Sequence, residues 1–71
     1  MAKYLANITI NKSRRKITIG IYERVQKNSN FDDKLVDVVK YQCKDEKEFS
    51  KKLDEIRLEY RHYDQQINHE N

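Results

Sequence analysis

Along this chain the apolar positions first recur at every second residue and then, beyond residue 45, at every third or fourth. Alternation marks a strand with one buried face, and the longer spacing marks a helix with one buried stripe. In YLANITIN, residues 4–11, Ala6, Ile8 and Ile10 fall on one side and Leu5, Asn7 and Thr9 on the other. After the polar turn KSRR, residues 16–26 set Ile17, Ile19, Ile21 and Val25 together, so the two segments predict a hairpin. KNSNFDD reads as a polar loop, and residues 34–43, KLVDVVKYQC, as a third strand rich in β-branched side chains.

From Asp45 onward the pattern changes. Phe49, Leu53, Ile56, Tyr60, Tyr63 and Ile67 follow a 4-3-4-3-4 spacing that only a helix gathers on one stripe. Asp45 with Glu48 three residues on resembles a capping box, so a helix is predicted over residues 45–66, with a frayed tail at 67–71. A helix of that length runs roughly 33 Å, and strands of about nine residues run roughly 30 Å. The expected fold is one small α+β domain: a three-stranded antiparallel sheet in β-β-β-α order, with one long C-terminal helix packed on one face.

A hairpin closed by NKSRRK sets Ile10 opposite Ile17, Ile8 opposite Ile19 and Ala6 opposite Ile21. The second hairpin is expected to set Ile21 opposite Val39, Ile19 opposite Tyr41 and Ile17 opposite Cys43. Both registers turn the apolar side chains to one face, and a slip of one residue would invert a strand. The other face then carries four rows: Thr9, Thr18 and Gln42; Asn7, Gly20 and Lys40; Leu5, Tyr22 and Val38; Lys3, Arg24 and Val36. One helix cannot cover it. An apolar and aromatic centre with a basic rim has the anatomy of an interface. The candidate binding residues are therefore Lys3, Leu5, Arg14, Arg15, Lys16, Thr18, Gly20, Tyr22, Arg24, Val36, Val38 and Lys40. Gly20, the one glycine of the chain, lies at the centre of this face, where it is expected to leave a notch for a partner or to mark a bulge.

Composition sharpens this reading at a few points. With 71 residues there is one domain and no room for a deep cleft. The single cysteine, Cys43, forms no internal disulfide and suits a reducing compartment. No apolar run has membrane-spanning length and no signal-peptide pattern opens the chain, so the expected location is the cytoplasm. The net charge of +3 is segregated: residues 1–30 carry seven basic side chains against Glu23 alone, whereas residues 31–71 carry eight basic and eleven acidic ones. The basic half hints at an anionic partner.

Candidate chemistry is sparse. Glu23 and Asp37 come out opposite each other beside Tyr4, as an acid pair, as a cluster satisfied by tyrosine and arginine, or as neighbours parted by a bulge. His62 and His69 have no metal-ligand spacing, Cys43 has no histidine partner, and there is no glycine-rich phosphate loop. No enzyme activity, metal or cofactor is expected.

Two resemblances bear on function. In size and in its lysine- and asparagine-rich composition without tryptophan or proline, the chain resembles accessory proteins of phages and mobile elements, among them anti-CRISPR inhibitors. In strand order, with KYQCKDEKEF leading from the last strand into the helix, it resembles the arm-type DNA-binding domains of tyrosine recombinases. The first implies a non-enzymatic inhibitor or regulator that binds a host or phage protein. The second implies a duplex-DNA reader in which Lys3, Lys16, Thr18, Arg24 and Lys40 contact phosphates and base edges and Arg14 and Arg15 grip the backbone. A homodimer through the sheet face or the helix is a further expected mode of association.

Overall fold

In the computed structural model, which describes residues 3–27 and 30–70, the elements run β1 (Tyr4–Asn11), β2 (Lys16–Lys27), β3 (Asn30–Gln42), α1 (Glu46–Glu59) and β4 (Asp64–Glu70). They form one four-stranded mixed sheet of order β3-β2-β1-β4. β1 and β2 pair antiparallel, as do β2 and β3, while β4 lies parallel to β1. The expected three-stranded antiparallel sheet with a long C-terminal helix is thus corrected. The helix has 14 residues, and the segment read as its last turns and tail becomes a fourth strand.

The reason lies in the pairing demands of the main chain. In a three-stranded sheet the far edge of β1 would leave a row of N–H and C=O groups unpaired beside the core. Residues 64–70 satisfy that edge, with Ile67 beside Ile8 and Asp64 beside Leu5. The helix stops at Tyr60-Arg61-His62-Tyr63, where the tyrosines and histidine are weaker helix formers than the residues before them. Tyr60 closes it with a backbone N–H bond to the Ile56 carbonyl, and Tyr63 N–H then bonds to the Tyr60 carbonyl. The Tyr60 and Tyr63 rings meet edge to face with centroids 5.1 Å apart. The even 3-4 spacing of Tyr63 and Ile67 therefore came from a turn and a strand, of which Tyr63 packs against the core while Ile67 stays exposed.

The N-terminal end of α1 follows the sequence. Asp45 is extended and its Oδ1 accepts from the Glu48 N–H at 2.8 Å. Phe49, Ile56 and Tyr60 pack on Ala6, Ile8 and Ile10 of β1 and Ile17, Ile19 and Ile21 of β2, with Cys43 completing the buried cluster. Leu53, Tyr63, Tyr4, Val39 and Tyr41 close it partway at the margins.

The first hairpin has the expected register, Ile8 facing Ile19 and Ile10 facing Ile17. Its turn is built by Asn11, whose Oδ1 accepts from Ser13 Oγ at 2.9 Å and Arg14 N–H at 3.0 Å, while Arg15 adopts a left-handed φ of 54°. The second hairpin is displaced by two residues: Ile19 faces Val39, Ile17 faces Tyr41 and Ile21 faces Asp37. Strand β3 also begins four residues earlier than expected, so Asp32 and Asp33 belong to a strand and not to a loop. Asn28 and Ser29 of that expected loop lie outside the described residues.

Candidate functional site

The sheet has one face under α1 and one face open. On the open face the observed rows are Thr9, Thr18 and Lys40, then Asn7, Gly20 and Val38, then Leu5, Tyr22 and Leu35. An irregularity in the β2·β3 pairing between Ile21 and Tyr22 produces the last row: Asp37 pairs with Ile21 and Leu35 with Tyr22, leaving Val36 as the additional residue. A bulge of this kind reverses the alternation of one strand against its partner. It carries Leu35 to the open face, where unbroken alternation from Asp37 would have set it on the buried side. Leu35, Val36 and Val38 are 51, 47 and 46% exposed, which makes β3 the most apolar exposed strand.

The displaced register of β3 also decides the acid pair, since Asp37 faces Ile21 and not Glu23. Glu23 faces Lys34, and its Oε2 accepts a long hydrogen bond from Tyr4 Oη at 3.5 Å. Asp37 turns its Oδ1 to the N–H of Val38 at 2.9 Å. The two carboxylates are separated, and among the described residues no group of three or more His, Cys, Asp or Glu side chains is placed to hold a metal ion.

Gly20 has an ordinary strand conformation and is not the bulge residue. A Cβ there would lie 3.2 Å from Tyr22 Cε2, because the tyrosine ring lies along the strand over the glycine. The expected notch is occupied by Tyr22 itself. Glycine and ring together form one half-buried aromatic platform at the centre of the open face, a pairing that restores packing which a strand glycine otherwise lacks.

Of the basic residues, Lys16 and Lys40 stand exposed on or beside the open face, and Arg14 is exposed in the turn. Arg15 is partly committed to the fold: its Nε donates to the Cys43 carbonyl at 3.4 Å and its carbonyl accepts from Cys43 N–H at 2.9 Å. Gln42 Nε2 adds bonds to the carbonyls of Arg14 and Cys43, fastening the turn to the end of β3. Lys3 sets its Nζ over the Tyr4 ring, 5.7 Å from the centroid. Arg24 is paired with Asp64 of β4 at 2.6 Å. The expected basic rim is therefore largely neutralised on the β4 side.

The residues missed by sequence reading are Leu35 and the open-face positions of β4. Asp64, Gln66 and Asn68 lie beside Leu5, Asn7 and Thr9, and Asn68 Nδ2 donates to Asn7 Oδ1. The face thus has an apolar centre on β2 and β3 that reaches Leu5 of β1, and a polar margin along β4 and the rest of β1. Only the alternation of DQQINHE could have pointed to a fourth strand, and its one apolar residue made that signal weak.

On the opposite side, where α1 leaves β4 uncovered, a groove of about 300 Å³ lies between Phe49, Leu53 and Arg57 of the helix and Ile10 and His69 of the sheet. Cys43 is buried beneath the start of α1, and burial, aided by the nearby Glu48 carboxylate, raises its thiol pKa, the opposite of what a nucleophile requires. No helix among the described residues is long and apolar enough to cross a membrane. No family model matches the chain, and no curated protein or solved structure is significantly similar to it.

Proposed function

We propose that this chain is a non-enzymatic protein-binding module of the cytoplasm that docks a host protein on the open sheet face and acts as an inhibitor or regulator, in the manner of a phage or mobile-element accessory protein. The observation that carries this reading is the apolar part of that face, where Tyr22 over Gly20 is flanked by Leu5, Leu35, Val36 and Val38 with no layer among the described residues covering them. Aromatic and aliphatic side chains ringed by polar ones are the usual core of a protein interface. Tyr22 is the expected anchor: it is large, amphipathic and already ordered against the strand, so little rotamer freedom is lost on docking.

The DNA-reading alternative has less support. Its basis was a three-stranded layout, which the fold replaces with a mixed four-stranded sheet. A groove reader also needs free cations across its surface, whereas here Asp64 pairs with Arg24, Asp33 stands opposite Arg24 on β3, and the centre is apolar.

The test is capture from lysate of the source cell with the wild-type chain, Tyr22→Ala and the distant helix variant Leu58→Ser, followed by direct binding to the purified partner. The reading requires one protein retained by wild type and Leu58→Ser and lost with Tyr22→Ala. Retention indifferent to Tyr22, or duplex-DNA binding that falls steeply with salt and collapses in Arg14→Ala/Lys16→Ala, would overturn it.

A further inference from the structure

Strand β3 is an edge of the sheet along its whole length, and its free side has a definite chemical pattern. Cys43 N–H bonds to the Arg15 carbonyl, so by alternation Tyr41, Val39 and Asp37 turn their main-chain groups toward β2, and Val38 and Lys40 turn theirs to the free side. The N–H of Val38 confirms the phase, since its acceptor is the Asp37 carboxylate and not β2, a local bond that any strand added at this edge displaces. Beyond the bulge the phase reverses. Arg24 N–H bonds to Lys3, away from β3, so Asp33, which faces Arg24, points its main-chain groups outward, as does Leu35. The outward residues of the middle of the strand are therefore Asp33, Leu35, Val38 and Lys40, and the same four carry side chains on the open face.

We propose that two copies of this chain pair antiparallel along β3, with Asp33 opposite Lys40 and Leu35 opposite Val38 of the second copy, about a two-fold axis between Val36 and Asp37. Each of these pairs occurs twice by symmetry, as an isologous interface demands. The register meets four independent requirements together: outward main chain meets outward main chain, open face meets open face, opposite charges meet, and apolar meets apolar. Lys34 then falls opposite Val39 and Asp32 opposite Tyr41, so no like charges are set against each other. A shift of two residues one way sets Asp33 against Val38, and the other way sets Leu35 against Lys40. The bulge, which commonly protects an edge from pairing, here lies at the two-fold axis and is what brings both halves of the strand into matching phase. The product is a continuous eight-stranded sheet whose two apolar patches adjoin. The pairing stands independently of which protein the open face binds.

Sedimentation equilibrium of the full chain over a range of concentrations tests this, using wild type, Asp33→Lys, Lys40→Asp and an equimolar mixture of the two variants. Wild type is expected to show a reversible monomer–dimer equilibrium, and each single variant to weaken it tenfold or more. The mixture should recover the wild-type constant, because only the mixed dimer has opposite charges at both contacts. Asp33→Lys sets a lysine opposite Arg24 within its own copy, so circular dichroism must confirm its fold. If it fails to fold, Val38→Pro supplies the decisive variant: it removes an outward N–H that β2 does not use and should abolish the dimer in a folded monomer. A wild-type chain that stays monomeric at millimolar concentration, a dimer indifferent to these variants, or a mixture no tighter than its components overturns the proposal.

Discussion

Arg24 of β2 and Asp64 of β4 meet at 2.6 Å across the intervening strand β1, with side chains 22 and 42% exposed. The pair ties the last strand to the antiparallel core, and Asn68 to Asn7 and Asn11 to Glu70 add side-chain bonds along the same seam. Partly exposed pairs of this kind contribute about 0.5–1 kcal/mol, less at high salt. Asp64→Asn is expected to leave the fold intact but to speed amide exchange in β4 selectively. Exchange that rises equally in β2 and β4 would show that β4 does not open as a separate unit.

Asp45 is the helix cap. Asp45→Ala should lower stability by about 1 kcal/mol, whereas Asp45→Asn, which keeps an acceptor oxygen for the Glu48 N–H, should recover most of the loss. Thermal melts of the three proteins check both outcomes.

Ile19 is fully buried at the centre of the sheet beneath the helix. Ile19→Val should cost about 0.5–1.5 kcal/mol and Ile19→Ala about 2–5 kcal/mol. A domain of this size has only about 3–5 kcal/mol in hand. The alanine variant is therefore expected to be mostly unfolded at 25 °C by circular dichroism, and the valine variant folded with a lower urea midpoint.

Cys43 and Tyr60 both titrate above their ordinary values, in each case chiefly because burial disfavours the anion. The folded chain then keeps protons that the unfolded chain releases. This stability is fully present at neutral pH and is lost as pH rises through the unfolded thiol value of about 8.5 and the phenol value of about 10 toward the raised folded ones. Urea midpoints should fall from pH 8 to pH 10.5, and Cys43→Ala should flatten the first part of that fall. An identical slope in the variant would remove the thiol from the account.

Gly20 and Tyr22 form a second relationship open to test. Gly20→Ala should change stability by less than about 0.5 kcal/mol, since the strand gain over glycine is offset by displacing the ring. In a Tyr22→Ala background the same change should be clearly stabilising. Equal effects in the two backgrounds would mean that the ring does not rest on the glycine.

Much of this was legible in the chain itself. The alternation of Ala6, Ile8 and Ile10 against Ile17, Ile19 and Ile21 determined the first hairpin, its register and its buried face, because a one-residue error would turn one strand over and expose its three apolar side chains. Asp45 and the spacing of Phe49 to Ile56 determined where the helix starts and which stripe it buries, since capping and local periodicity are properties of neighbouring residues. The open face, with Leu5, Gly20 and Tyr22 at its centre, followed from having one helix for two sheet faces. Tertiary structure alone decided the rest. The two-residue displacement of β3 and the bulge at Val36, which parted Glu23 from Asp37 and brought Leu35 to the open face, come from fitting a third strand to a finished hairpin. The last strand was hidden because the fate of DQQINHE depends on the unpaired edge of β1, a partner more than fifty residues away, and main-chain hydrogen bonding to a distant strand leaves almost no mark on local sequence.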